Sequence, residues 1–166
     1  MNKIMDDVVE KKHPRILVVS SNAFSKTSNN GKTLASFFKE FSSDSIAQLY
    51  FNPEIPTDLD YRNYFRITDK EIVKSLFTNE EPGKIIDISK TMSTNSETIT
   101  SKNNIHAIIR KYNIFRIARE MIWLSKKWNT EILNRWLQNF NPNVVFLCAG
   151  DGGFTYKITE YIVKKF

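Results

Sequence analysis

The chain has 166 residues, enough for one domain with a sizeable core and too few for two complete ones. Its 24 Lys and Arg against 18 Asp and Glu leave a net charge of +6 and a pI near 9.4, a balance that favours anionic surfaces such as phosphoryl groups or acidic lipid headgroups. One cysteine and two histidines exclude an internal disulfide and a zinc site of the usual spacing, so the expectation is a reducing, cytoplasmic setting without a metal.

Residues 1–14, "MNKIMDDVVEKKHP", read as a loose charged leader with no apolar core of signal-peptide length, and residues 15–166 as one domain. Ile16 to Val19 form a short apolar run rich in β-branched residues, the mark of a strand covered on both faces. Beyond it, Leu34, Phe37, Phe38 and Phe41 fall at i, i+3, i+4 and i+7 and predict a helix with one apolar stripe, begun by a cap at Asn29 or Asn30. Asp44 to Phe51 predicts a second strand and "NYFRIT" a third; "DKEIVKSLF" predicts a short helix capped by Thr68 or Asp69.

After the brief apolar piece "KIIDI", eleven of the sixteen residues from Ser89 to Asn104 are Ser, Thr or Asn, which predicts a mobile polar insertion. Ile105 to Trp128 predicts a long helix. In "TEILNRWLQNF", Ile132, Leu133, Trp136, Leu137 and Phe140 share one face, and Pro142 ends that helix. The run Asn143 to Ala149 predicts another strand buried on both faces, and Phe154, Ile158, Tyr161 and Ile162 a last helix. A strand followed through a glycine loop by an amphipathic helix, twice over, is the unit of an α/β fold: an open, mainly parallel, Rossmann-like sheet with helices on both faces.

Gly31-Lys32-Thr33 matches the tail of a phosphate-binding P-loop. That motif needs a second glycine five positions earlier, where the chain turns back to let successive amides wrap a phosphate, and here Lys26 stands there. Two readings remain for the loop. In one, Gly31 lets the helix approach the sheet closely; in the other, the free amides at the helix start meet a ligand bearing phosphate or hydroxyls. The second glycine loop, "AGDGG" from Ala149 to Gly153, sets Asp151 either as a helix cap or as a carboxylate able to bond sugar hydroxyls or an amine. Both loops are expected at the carboxyl edge of one sheet, where open α/β sheets bind ligands.

The stretch around the long helix carries Arg110, Lys111, Arg116, Arg119, Lys126 and Lys127 with Phe115, Trp123 and Trp128. It suits either an anionic membrane surface, stems and rings inward, or packing on the sheet with a solvated basic face. No nucleic-acid recognition motif is present. His13 and His106 lack a nucleophile partner in the sequence, and Cys148, inside an apolar run, reads as a buried small hydrophobe.

Taken together, "ILVVSSNAFSKTSNNGKTLASFF", "IAQLYFNPEIP", "YFRITD" and "WNTEILNRWLQNFNPNVVFLCAGDGGFTYKITEYI" resemble, in order, the N-terminal, acceptor-side half of a bacterial family-4 glycosyltransferase of the GT-B fold. The resemblance implies retaining transfer of a sugar from a nucleotide-sugar to a glycan or lipid-linked acceptor of a cell-surface polysaccharide, at the cytoplasmic face of the membrane and without a metal. Carried over by position, Asn30, Gly31 and Lys32 match the loop after the first strand. Gly150, Asp151 and Gly152 match the loop near the acceptor, with Asp151 the candidate catalytic group. A GT-B enzyme needs about 300 residues or more, so the donor-binding half is expected to be absent and this chain, as a truncated fragment, to be inactive alone. Truncation would also expose a sheet edge beside the "VVFLCA" strand, residues 144–149, and invite a homodimer. The alternative is a non-catalytic α/β module that binds an anionic ligand or a protein partner.

Overall fold

A computed structural model of the chain describes residues 14–58, 60–88, 113–150 and 152–166. Residues 1–13 of the expected leader, the expected insertion at 89–104, residues 105–112 of the expected long helix with Arg110 and Lys111, both histidines and Asp151 lie outside the described residues. The described elements are, in order, β1 (Ile16–Ser20), α1 (Asn29–Ser36), a short 3-10 turn (Ser43–Ser45), β2 (Ile46–Tyr50), β3 (Asn63–Arg66), α2 (Asp69–Phe77), β4 (Lys84–Ile86), α3 (Asn113–Leu124), α4 (Glu131–Phe140), β5 (Val144–Leu147) and α5 (Phe154–Lys165).

Five strands form one sheet in the order β4-β3-β2-β1-β5. The four central pairings are parallel except β3–β4, which is antiparallel, with Leu17 opposite Ala47 and Val18 opposite Phe146 fixing the register about β1. Strand parity then divides the core. Leu17, Val19, Leu49, Phe65 and Ile67 join Ile72 of α2, Trp123 of α3, Leu133, Trp136 and Leu137 of α4, and Ile158 and Ile162 of α5 on one face. On the other, Ile16, Val18, Ile46, Tyr50 and Tyr64 pack with Leu34 and Ala35 of α1 and with Phe24 and Phe38. The fold is therefore α/β and Rossmann-like, mostly parallel with helices on both faces, as the alternation of strands and amphipathic stretches requires.

Local signals explain the helix ends. Thr68 caps α2 in a reciprocal box: its Oγ1 accepts from the Glu71 amide at 3.3 Å, while Glu71 Oε2 accepts from the Thr68 amide at 2.8 Å. Thr130 caps α4 by accepting from the Leu133 amide, and Asn141 ends it in the left-handed region at φ 48°, one residue before Pro142.

Four expectations need correction. β5 is not buried on both faces: Val144 is 43% and Phe146 38% exposed, because β5 is the terminal strand, paired only with β1 among the described residues. For the same reason Cys148, just past the strand, is exposed rather than a core residue. The stripe after Gly31 is narrower than its spacing suggests: α1 closes at Ser36, so Leu34 and Phe38 are buried while Phe37 points to solvent and Phe41 is partly exposed. The helix expected to reach Trp128 stops at Leu124. Lys126 adopts φ 57° there, and the turn it makes returns Trp128 to the core.

Candidate ligand-binding edge at the strand switch point

From β1 the chain moves to β2 on one side, and it returns at β5 on the other, so the order reverses between β1 and β5. A crevice opens outside the carboxyl ends of such a strand pair, where the two flanking loops diverge. The loops concerned are residues 21–28, which lead into α1 and its Gly31, and the glycine loop after β5.

The first loop is tied down by side chains from β2 and the segment after it. Gln48, fully buried, accepts from the Phe24 amide at 2.9 Å and donates to Ser20 Oγ at 2.8 Å and to the Asn22 carbonyl at 3.0 Å. Glu54 Oε1 accepts from the Ala23 amide at 2.5 Å and Thr57 Oγ1 from the Lys26 amide at 3.0 Å. Ser25 Oγ takes the amides of Thr27 and Ser28. Five amides that a P-loop would turn toward phosphate are thus already bonded within the protein. Lys26 is engaged as well, by Asp60 at 3.3 Å and Asp58 at 3.7 Å.

The helix cap is Ser28 rather than Asn29 or Asn30, and its side chain makes no capping bond, since Ser25 serves the loop instead. Gly31 is the residue of close approach: a Cβ there would lie 2.3 Å from the Ala23 carbonyl oxygen and 2.7 Å from Ser25 Cβ. Asn30 and Lys32 are exposed. Lys32, with Lys26, Lys39, Asp58, Asp60 and Tyr61, lines an open cavity of about 520 Å³ on the α1 side. Burial, reinforced by Asp58 and Asp60, pushes the Tyr61 hydroxyl up to about 12. Burial also raises Tyr50 and Tyr64 well above the ordinary tyrosine value, Glu54 adding to the first and Asp58 to the second while Arg66 opposes the shift at Tyr50.

Across the switch point, Gly150 is pressed against the first loop, so that a Cβ there would meet Ser21 Oγ at 2.5 Å. Gly152 lies under the Phe154 ring, with room for a Cβ closed off at 2.4 Å. Glu120 of α3 accepts from the Gly153 amide at 2.6 Å. Beside it, Asp69 at the start of α2 takes Arg119 Nε on both oxygens, at 3.0 and 2.9 Å, and Trp123 Nε1 at 2.7 Å. Trp123 stacks on Phe154 at 4.1 Å, and the Arg119 guanidinium sits 4.8 Å over the same ring. The glycine loop after β5 is therefore positioned by a rigid unit of α2, α3 and α5.

No family model, no curated protein and no solved structure matches the chain.

Of the candidate residues, Gly150 and Gly152 lie at the switch point, while Lys32 faces the cavity on the α1 flank and Gly31 is packed against the intervening loop. They do not converge on a single cavity. In the sequence Asp69 is only a cap alternative, Arg119 one of a basic run and Glu120 unmarked, because the partners that give them a role lie 50 and 33 residues away. Among the described residues, no three His, Cys, Asp or Glu side chains gather as metal ligands.

Proposed function

We propose that the chain is the acceptor-side, Rossmann-like domain of a retaining glycosyltransferase, one that transfers a sugar from a nucleotide-sugar to a glycan or lipid-linked precursor. The observation that supports this reading is the meeting of the loop after β1 with the glycine loop after β5 at the β1/β5 switch point, with Gly150 held against Ser21. Small residues there leave backbone and hydroxyl groups as the surface a polar ligand meets. Asp151, between Gly150 and Gly152 in the sequence, is the group assigned to the chemistry; Asn30 and Lys32, exposed on α1, are assigned to contact the ligand from the neighbouring flank, and Gly31 packs that helix against the loop. The bonded amides of residues 23–28 argue for a hydroxyl-rich ligand at this loop in preference to a phosphate cradle. Specificity for donor and acceptor belongs to loops and not to the fold.

The test uses the full reading frame that encodes this chain, screened for transfer or hydrolysis with a panel of nucleotide-sugars. Asp151→Ala is expected to lower the rate by about 10²-fold or more, the usual scale for a positioned acid or base. An unchanged rate removes Asp151 from the site, and transfer by residues 1–166 alone refutes the assignment to a half-enzyme. A second reading, a non-catalytic module for an anionic ligand, is favoured by the cavity that Lys32 lines. Inorganic phosphate or a nucleotide whose binding to the protein disappears in Lys32→Ala, with no transfer by the full reading frame, would select it.

A further inference from the structure

Trp123 and Arg119 turn α3 toward the core, and among the described residues the opposite side of the helix is left uncovered. Ile117 (61% exposed), Met121 (66%) and Leu124 (52%) stand at i, i+4 and i+7 on that outer side, one continuous apolar stripe. Isolated exposed apolar side chains are ordinary on a protein surface, but an aligned row of three large ones is the pattern of a contact surface.

The stripe runs into a second feature. Leu124 also lines a cavity of about 410 Å³ between the end of α3 and α5, floored by Trp123, Trp128 and Tyr161 and edged by Lys126, Lys157 and Lys164. Exposed Lys127 adjoins it. Of these four lysines, only Lys164 has an ion-pair partner among the described residues, Glu160 at 2.6 Å, which is also the one acidic group lining the cavity. The left-handed turn at Lys126 keeps Lys126 and Lys127 exposed just past the apolar row, while Lys157 and Lys164 come from α5.

We propose that the outer face of α3 and the adjoining lysine rim form a docking surface for an anionic lipid bilayer. Leu, Ile and Met enter the acyl boundary while lysine stems reach the headgroup phosphates, the division an interfacial helix makes. Charge selects this occupant over a second copy of the chain. A two-fold contact through the stripe would bring the two lysine rims together with a single paired glutamate on each side, a like-charge arrangement that opposes association. The surface differs from the ring-inward one expected of this helix: Trp123 and Trp128 are buried in the core, and the aliphatic side faces out. The inference is independent of sugar transfer and stands or falls separately from it.

The experiment is co-sedimentation of the protein with phosphatidylcholine vesicles and with vesicles containing about one-third phosphatidylglycerol, at low and high salt. Binding is expected to the anionic vesicles and to fall as salt rises. Lys157→Glu and Lys164→Glu should each lower partition by about fivefold or more, and Met121→Glu with Leu124→Glu by at least about tenfold. Arg62→Glu, a single change that matches the rim variants in charge at an exposed position beside β3, should lower it much less. The proposal is overturned by absence of binding to anionic vesicles, by wild-type binding of the stripe variant, or by equal losses in the control and rim variants. Self-association that is abolished by the stripe variant, with no vesicle binding, would assign the face to a second copy and overturn it equally.

Discussion

Gln48→Leu tests whether one buried amide organises the loop that leads to the candidate site. Gln48 is fully buried, and its three hydrogen bonds join β2 to Ser20, Asn22 and Phe24. With leucine there, the Asn22 carbonyl still accepts from Ser20 Oγ at 2.9 Å, and Ser20 loses only a donor to its lone pair. The Phe24 amide, however, is left buried without its acceptor, a cost of about 1–3 kcal/mol. For a chain of this size each kcal/mol moves the thermal midpoint by about 2–4 °C, so a loss of about 2 kcal/mol appears as a fall of roughly 4–8 °C. Hydrogen exchange at the Phe24 amide should accelerate by more than exchange in β1. Gln48→Glu supplies the contrast, because a protonated carboxyl keeps both an acceptor for Phe24 and a donor for Asn22. Burial raises such a carboxyl's folded pKa above the unfolded value of about 4.3, so its contribution is full below that pH and is lost as pH rises toward the folded pKa. A Gln48→Leu protein that melts with the wild type, or a Gln48→Glu protein whose stability ignores pH across that range, would refute the reasoning.

Three further outcomes follow from the same contacts. Gly31→Ala drives a Cβ into the Ala23 carbonyl and should destabilise by about 1–3 kcal/mol in urea unfolding, with the loss concentrated in α1. Asp69→Ala strips acceptors from Arg119 and Trp123 together, so α3 should loosen from α2 with a loss of about 1–3 kcal/mol and a shift in tryptophan emission. Tyr61, whose hydroxyl is raised to about 12, is protonated in the folded chain where the unfolded chain ionises near pH 10. Its contribution is complete below about pH 10 and is lost as pH climbs toward 12, so Tyr61→Phe should move the alkaline unfolding midpoint upward, as followed by circular dichroism.

Periodicity made most of the architecture legible. β1 to β3, α2, α4 and α5 stand where apolar spacing, Thr68 and the Pro142 stop put them, because each of those signals is local to the element it marks. The misreadings came from context that spacing does not carry. "NVVFLCA" has the composition of a central strand, yet exposure depends on what lies beside it, and β5 is terminal in the sheet. Trp128 continued the helical pattern of α3 in sequence, but the chain reached the same core position by a turn at Lys126. Composition alone does not say which side chains of the aromatic, basic helix turn inward; the fold buries Trp123 and Trp128 and leaves Met121 outside.

The candidate site divides in the same way. Glycines announced both loops, since a residue without a Cβ is a local signal: Gly31 and Gly150 each sit where a Cβ would strike a neighbouring atom. What holds those loops lies outside the stretches that mark them. Gln48 reads as the one polar residue in an apolar strand, an expected place for a solvent-facing side chain, yet it faces the α1 core and carries the loop after β1. Glu120 supports Gly153 from 33 positions upstream, across the whole of α4 and β5. A polar residue interrupting a buried strand is thus a signal with a direction: its hydrogen bonds must be met inside, and the nearest unsatisfied backbone is the loop at the strand's carboxyl end. Applied to β2, that rule leads from Gln48 to residues 20–24, and so to the switch point, before any glycine is considered.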